Sequence, residues 1–252
     1  MKTNPAIRQC ILSGMTKIMR AVLRYILIWQ MYFLAVFLFK IRNHIKISGR
    51  ENLPRGKDQY GMVLLSNHQT LIDSLLTGFG LTRFWDLFFH QKRIAFNAPD
   101  RKNFLSKGFA KFFFGLLKNI PIDRGLTNQI DIENQIQSCQ MVIKRRDNLL
   151  VFFEGQRTRD GSIGRCKRGV AKLILESNPN YIIPITLIGI DNIMPISVGF
   201  HWLKIRSGFK GKMIIGQPLD FSEIIASKSL SENAKITLIR KEIRAAVLKN
   251  YR

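Results

Sequence analysis

His68 and Asp73 stand five residues apart in the stretch Ser66-Asn67-His68-Gln69-Thr70-Leu71-Ile72-Asp73. Histidine gains and loses a proton near neutral pH, and a carboxylate holding one ring nitrogen leaves the other free to accept a hydroxyl proton. In a continuous helix, residues five apart point roughly 140° away from each other. The pair can therefore meet only if His68 precedes the helix and Asp73 lies in its first turn. The apolar run Met62–Leu65 ahead of them reads as a strand, which places His68 in a strand-to-helix turn. The bland alternative is a capped helix start with a satisfied histidine.

A second strand-like run, Leu149–Phe153, breaks into Glu154-Gly155-Gln156-Arg157-Thr158-Arg159-Asp160-Gly161. A third, Asn119–Ile122, ends in Asp123-Arg124-Gly125. In open α/β sheets, sites gather at the carboxyl ends of strands, where His68, Arg124, Glu154 and Arg157 all fall. Arg124 and Arg157 could grip a phosphate with their guanidinium forks, and Gly155 would let the backbone approach a ligand closely. Each also has an internal reading: Arg124 paired with Asp123, or Glu154 bridged to Arg157.

Alternating strands and helices must position these groups. Ile45–Ser48 reads as a strand, and a helix follows His68 to about Leu81. A helix with one buried stripe covers Asn128–Arg146, and another covers Val170–Leu175. Further strands are read at Tyr181–Ile188 and at 211–216. Pro184 inside the former argues for an edge or a bulge. Ser229 with Glu232 reads as a capping box for a last helix with the stripe Ile236, Ile239, Ile243 and Val247. The pattern predicts an α/β fold, a mainly parallel sheet flanked by helices. Three units are read: membrane-anchoring helices in 1–42, an α/β domain in 43–225, and a C-terminal helix in 226–252 packed on the core.

With 252 residues, 46% of them hydrophobic, the chain can bury a sizeable core. Lys and Arg number 40 against 17 Asp and Glu, a formal net charge of +23, which implies an anionic partner. Tyr25–Phe39 carries no formal charge and reaches about 22 Å as a helix, short of a roughly 30 Å hydrocarbon core. It reads as a membrane-embedded anchor, with a buried core helix as the alternative. Half of the 18 phenylalanines fall between residues 84 and 114, interleaved with Lys and Arg. Such a mixture suits a lipid headgroup region or single-stranded nucleic acid. Cys10, Cys139 and Cys166 are widely spaced and predict a reduced compartment, with neither a disulfide framework nor a metal site.

These residues together resemble the glycerolipid acyltransferase family, of the 1-acylglycerol-3-phosphate acyltransferase type. Asn67, His68 and Asp73 match its first motif, and Ile122-Asp123-Arg124 its second. Phe152-Phe153-Glu154-Gly155-Gln156-Arg157-Thr158 matches the third, and Ile182-Ile183-Pro184-Ile185 the fourth, in the same order and spacing. The resemblance implies that His68 is a general base oriented by Asp73. It also implies that Asn67, Arg124, Glu154, Gly155, Arg157 and Lys167 bind the substrate. The acceptor would be 1-acylglycerol-3-phosphate and the donor acyl-CoA or acyl-carrier protein, with no cofactor and no acyl-enzyme. A pair of N-terminal helices in the membrane is also implied, at the cytoplasmic face of the inner membrane and with an anionic phospholipid partner. Phe153, Gln156 and Thr158 replace the family's Pro, Thr and Ser, and its Lys-containing segment after the first motif reads Phe96-Asn97-Ala98-Pro99 here. Gly169–Pro195 is similar to tafazzin, so a tafazzin-like lysophospholipid transacylase is the alternative within the class. A basic peripheral membrane or nucleic-acid-binding protein is the alternative outside it.

Overall fold

The computed structural model describes residues 5–99, 112, 115–123, 128–158, 161–195 and 205–251. Arg124, with most of the phenylalanines between 104 and 114, lies outside the described residues.

Six strands form one sheet: β1 (His44–Ser48), β2 (Met62–Ser66), β3 (Phe96–Asn97), β4 (Leu149–Phe152), β5 (Tyr181–Ile188) and β6 (Lys210–Ile215), in the order β1-β6-β5-β2-β4-β3. Every neighbouring pair is parallel except β5 with β6. β2 lies at the centre, with Leu65 opposite Val151 on one side and Pro184 on the other. All five of its residues are buried, which is why it reads as a continuous apolar run rather than an alternating one.

Two faces of the sheet carry separate apolar layers. Val63, Leu65, Leu149 and Ile182 point to one face, where α4 (Gln129–Lys144), α5 (Arg168–Ser177) and α7 (Glu232–Tyr251) cover them. The α7 stripe of Ile236, Ile239, Ile243 and Val247 is wholly buried there, at the spacing its sequence predicted. Leu64, Leu150, Ile183, Ile185 and Ile215 point to the opposite face. That face is covered by α1 (Pro5–Val36) and α2 (Asp73–Leu81). Two further short helices among the described residues are α3 (Asp86–Phe89) and α6 (Ser222–Ala226). Alternate residues of one strand therefore serve two different cores.

Four expectations are corrected. Pro184 sits in an interior strand rather than at an edge. Its carbonyl accepts from Gly216 N at 2.8 Å just where β6 ends, and the return bond that a residue with an N–H would make to Gly216 is the single ladder bond proline gives up there. The pairing shifts by one residue between Ile185 with Ile215 and Ile182 with Leu219, so the bulge is on the partner segment. In place of a pair of N-terminal helices, one helix runs from Pro5 to Val36 and ends in a π turn, Phe37–Ile41. The cap of α7 is Ser231, whose hydroxyl accepts from Ala234 N; Ser229 bonds Ser227 instead. Phe96–Asn97, not read as a strand, pairs with β4, Phe96 N donating to Asn148 O at 2.7 Å, while on its other side Asn97 bonds Lys118 O and Ile120 N. That contact also lays Asn119 beside it at the sheet edge.

Candidate active site

β2 ends at Ser66, and Asn67–Leu71 form a non-helical turn that leads to Ile72, the N-cap of α2, before the helix begins at Asp73. This turn brings His68 Nδ1 to 2.8 Å from Asp73 Oδ2. The same oxygen accepts from Gln69 N at 2.6 Å and Thr70 N at 2.8 Å, while Oδ1 accepts the Thr70 hydroxyl at 2.6 Å. Asp73 is fully buried, and four donors fix its carboxylate. A carboxylate can only accept, so Nδ1 carries the ring hydrogen and Nε2 is left as an acceptor. The imidazole is held flat on Phe152, with ring centroids 4.0 Å apart and planes within 13°.

The ring's remaining edge opens on a cavity of about 480 Å3 between α1, α2 and the sheet. That volume is in the roughly 300–1,000 Å3 range of ligand sites. Its walls are mainly apolar: Ile28, Met31, Tyr32 and Ala35 from α1, Leu75 and Phe79 from α2, and Leu64, Leu150 and Phe152 from the sheet. Arg50, Arg55, Arg83, Arg93 and Lys118 also border it. Lys118 donates to Ile94 O at 3.1 Å and lies 3.9 Å from Asp147; burial lowers its pKa, and Asp147 opposes that shift.

Among the described residues of the predicted site, His68 lines this cavity and the others do not. Asn67 is buried; its side-chain amide donates to Leu187 O at 2.9 Å and accepts from Leu187 N at 2.7 Å, which ties the end of β2 to β5. Gln69 performs a similar task at Ile190 N, 3.1 Å away.

The loop after β4 folds back against the histidine. Phe153 N donates to Ser66 O, and Thr158 N donates to His68 O at 3.0 Å, which sets Arg157 one residue from the His68 backbone. Gly155 holds φ +68°, and a Cβ there would meet Lys167 Cγ at 3.1 Å, so the lysine side chain lies directly over the glycine. Lys167 N in turn donates to Phe153 O at 2.8 Å. Gly155, Arg157 and Lys167 are thus gathered on one loop system next to His68.

Glu154 behaves differently from its sequence reading. It is 2% exposed and buried beside the His68 backbone and Gly164, with neither carboxylate oxygen hydrogen-bonded among the described residues. The bridge to Arg157 is therefore not formed. Burial pushes its pKa up to about 7 and the Asp73 charge adds to the rise, although the nearby backbone N–H groups of Gly164 and His68 oppose it.

α7 clamps this loop from outside. Arg240 Nε donates to Cys166 O at 2.6 Å, Arg244 reaches the carbonyls of Gly164 and Ile163, and the Tyr251 hydroxyl donates to Gly161 O at 2.7 Å. Sequence reasoning missed these clamps, the Phe152 stack and the cationic border of the cavity. Only Phe152 had a local signal, as the apolar residue two before Glu154.

The acyltransferase family model matches residues 44–188, more than half of the chain and all of the segment from β1 to β5. This chain belongs to the acyltransferase family. It is 30% identical over 152 residues to a chloroplastic 1-acyl-sn-glycerol-3-phosphate acyltransferase of Arabidopsis thaliana, a match covering 60% of this chain and 38% of that protein. A chloroplastic 1-acyl-sn-glycerol-3-phosphate acyltransferase of Brassica napus is 29% identical over 150 residues, covering 59% and 38%. The match thus spans about two fifths of the length of these curated relatives. The crystal structure of the 1-acyl-sn-glycerophosphate acyltransferase PlsC from Thermotoga maritima superposes with a TM-score of 0.59. That superposition covers 92% of this chain and 80% of PlsC at 16% identity, so the likeness is one of fold. The family match takes in His68, Asp73, Glu154, Gly155, Arg157 and Lys167, and leaves out α1, which supplies one wall of the cavity.

Proposed function

We propose that this acyltransferase-family protein moves a fatty acyl chain onto the free hydroxyl of 1-acylglycerol-3-phosphate, from acyl-CoA or acyl-carrier protein. The observation that carries the reading is the His68–Asp73 pair, 2.8 Å apart, at the wall of an apolar cavity. In this reading His68 Nε2 takes the hydroxyl proton while Asp73 holds the imidazole and balances its positive charge. The freed oxygen attacks the thioester carbonyl carbon, and the C–S bond breaks. The departing thiolate takes the proton back from His68, leaving an ester and a free thiol with no covalent enzyme intermediate. Phe152 keeps the ring from rotating, and the apolar walls accommodate the acyl chain.

Arg157 and Lys167, the latter lying over Gly155, are the cations proposed to hold the acceptor phosphate, together with Arg124. Their adjacency to the His68 backbone supports that assignment. Glu154 is better suited to shaping this loop than to touching a substrate, because its carboxylate is buried. An anionic phospholipid surface is the proposed setting. Among the described residues, Thr16–Ile41 is the one helix long and apolar enough to cross a membrane.

The test is an acyl-transfer assay with lysophosphatidate, glycerol-3-phosphate and lysophosphatidylcholine as acceptors, comparing wild type with His68→Ala. Transfer to lysophosphatidate should dominate and should fall by about 10²–10⁴-fold in the variant. Equal rates for both proteins would remove the base assignment, and dominant transfer to lysophosphatidylcholine would favour a tafazzin-like acceptor.

A further inference from the structure

α1 has two unlike faces. Leu27, Ile28, Ala35 and the following Leu38 and Phe39 are buried in the core. Ile18, Val22, Ile26, Phe33 and Phe37 are all exposed, and they recur at helical spacing as one stripe about 28 Å long. Against this stripe sits the segment Phe84–Phe89. Trp29 meets Phe84 at 5.4 Å and Phe88 at 4.5 Å, both edge-on. Phe84, Trp85, Phe88 and Phe89 touch one another at 5.5 to 6.1 Å between centroids. Their outer surfaces remain in the open: Trp85 is 66% exposed and Phe89 72%.

These rings are held in place from below. Leu87 is buried between them, and Asp86 accepts from Arg83 N at 2.9 Å and pairs with Arg93 at 2.5 Å. Asp86 is the one carboxylate between Phe84 and Phe89, and it faces inward, while α1 from Pro5 to Val36 contains no Asp or Glu. Arg20, Arg24 and Lys40 on or just after α1, and Arg83 and Lys92 flanking the aromatic segment in sequence, are exposed. Apolar rings and exposed cations on two segments that, Asp86 aside, carry no carboxylate match the boundary between acyl chains and anionic headgroups.

We propose that the Phe84–Phe89 cluster is a second membrane contact, carried by the α/β core, which acts with the α1 stripe to seat the protein on an anionic phospholipid surface. Ile28, Met31, Tyr32 and Ala35 of α1 and Arg83, Asp86 and Leu87 of the aromatic segment all border the His68 cavity. Seating both elements in lipid therefore puts the cavity wall at the headgroup boundary, where a lipid acceptor could enter without crossing water. This purpose rests on the acyl-transfer reading above, whereas the contact itself is tested without catalysis.

The experiment uses the full chain with vesicles of phosphatidylglycerol and phosphatidylcholine, part of the latter brominated. Trp85 and Phe89 do not line the cavity, so Trp85→Ser with Phe89→Ser should leave the thermal melt and transfer in detergent micelles at wild-type levels. Vesicle affinity should fall about 10-fold or more, and bromolipid should quench a part of the tryptophan emission that is missing in Trp85→Phe. Unchanged affinity, or no quenching assignable to Trp85, would overturn the proposal. So would a dimer, seen by sedimentation equilibrium without lipid, that the double variant splits. Normal vesicle binding and quenching without any acyl transfer would instead sink the enzymatic reading and leave the membrane contact standing.

Discussion

Asp73 and Glu154 are both buried carboxylates near His68, yet their surroundings are opposite. Asp73 receives four hydrogen bonds, one of them from the imidazole, and is fixed as an acceptor. Glu154 receives none of good geometry among the described residues, and burial raises its pKa to about 7. The consequence is a definite pH dependence of stability. Below about pH 4 the carboxyl is neutral in both folded and unfolded chains. Between roughly 4.5 and 7 the unfolded chain gives up the proton while the folded protein keeps it, so stability is lost as pH rises through that window and levels off above it. The total effect is about 3 kcal/mol as an upper estimate. Glu154→Gln should flatten it, which urea midpoints for both proteins at pH 5 and pH 8 would show. An equal fall in midpoint for wild type and variant would assign the dependence to another group.

The loop that brings Gly155, Arg157 and Lys167 beside His68 has no strand or helix among its described residues between Phe153 and Lys167, so its shape depends on the helices around it. α5 starts directly after Lys167, and α7 holds the loop carbonyls through Arg240, Arg244 and Tyr251. A charged donor to a carbonyl contributes on the order of 1–2 kcal/mol when partly exposed. Arg240→Ala with Arg244→Ala should therefore cost about 2 kcal/mol and raise amide exchange at 161–167 more than in the β2 strand. Uniform acceleration of exchange across the sheet would mean that α7 supports the whole core rather than this loop. Elements distant in sequence thus decide how well the cations are presented.

α1 changes the meaning of the N-terminal boundary drawn from composition. Its hydrophobic run supplies Ala35, Leu38 and Phe39 to the same core as Ile45, Leu64 and Ile185, and it walls the cavity. Fully burying one Leu, Ile or Phe side chain is worth about 1.5–3 kcal/mol, so losing the buried Leu27, Ile28, Leu38 and Phe39 approaches the 5–15 kcal/mol stability of an entire domain. Removing residues 1–42 should abolish a cooperative melt, while removing 1–19 should leave the melting temperature within about 2 °C of wild type. A cooperative melt for the longer deletion would show that the α/β part stands alone. The excess of 40 basic over 17 acidic residues acts over the whole surface, and it favours attachment to anionic lipid that weakens as salt is added.

Much of this was legible in the chain because it depends on short-range relations. Strand β2, the turn and α2 are consecutive, so the spacing of His68 and Asp73 already said where each must lie for the two to meet, and the apolar runs with their flanking polar residues marked where strands end. The period of α7 named its buried stripe. Other features had no such signature. The Phe152 stack joins residues 84 positions apart, Asn67 is bonded to a strand 120 positions later, and the cavity needs α1 to lie across the sheet. Burial of Glu154, and with it its raised pKa, follows from the same long-range packing. Local sequence sets hydrogen-bonding and hydrophobic periodicity over a few residues; the volume, polarity and exposure of a site are set by which distant surfaces close over it.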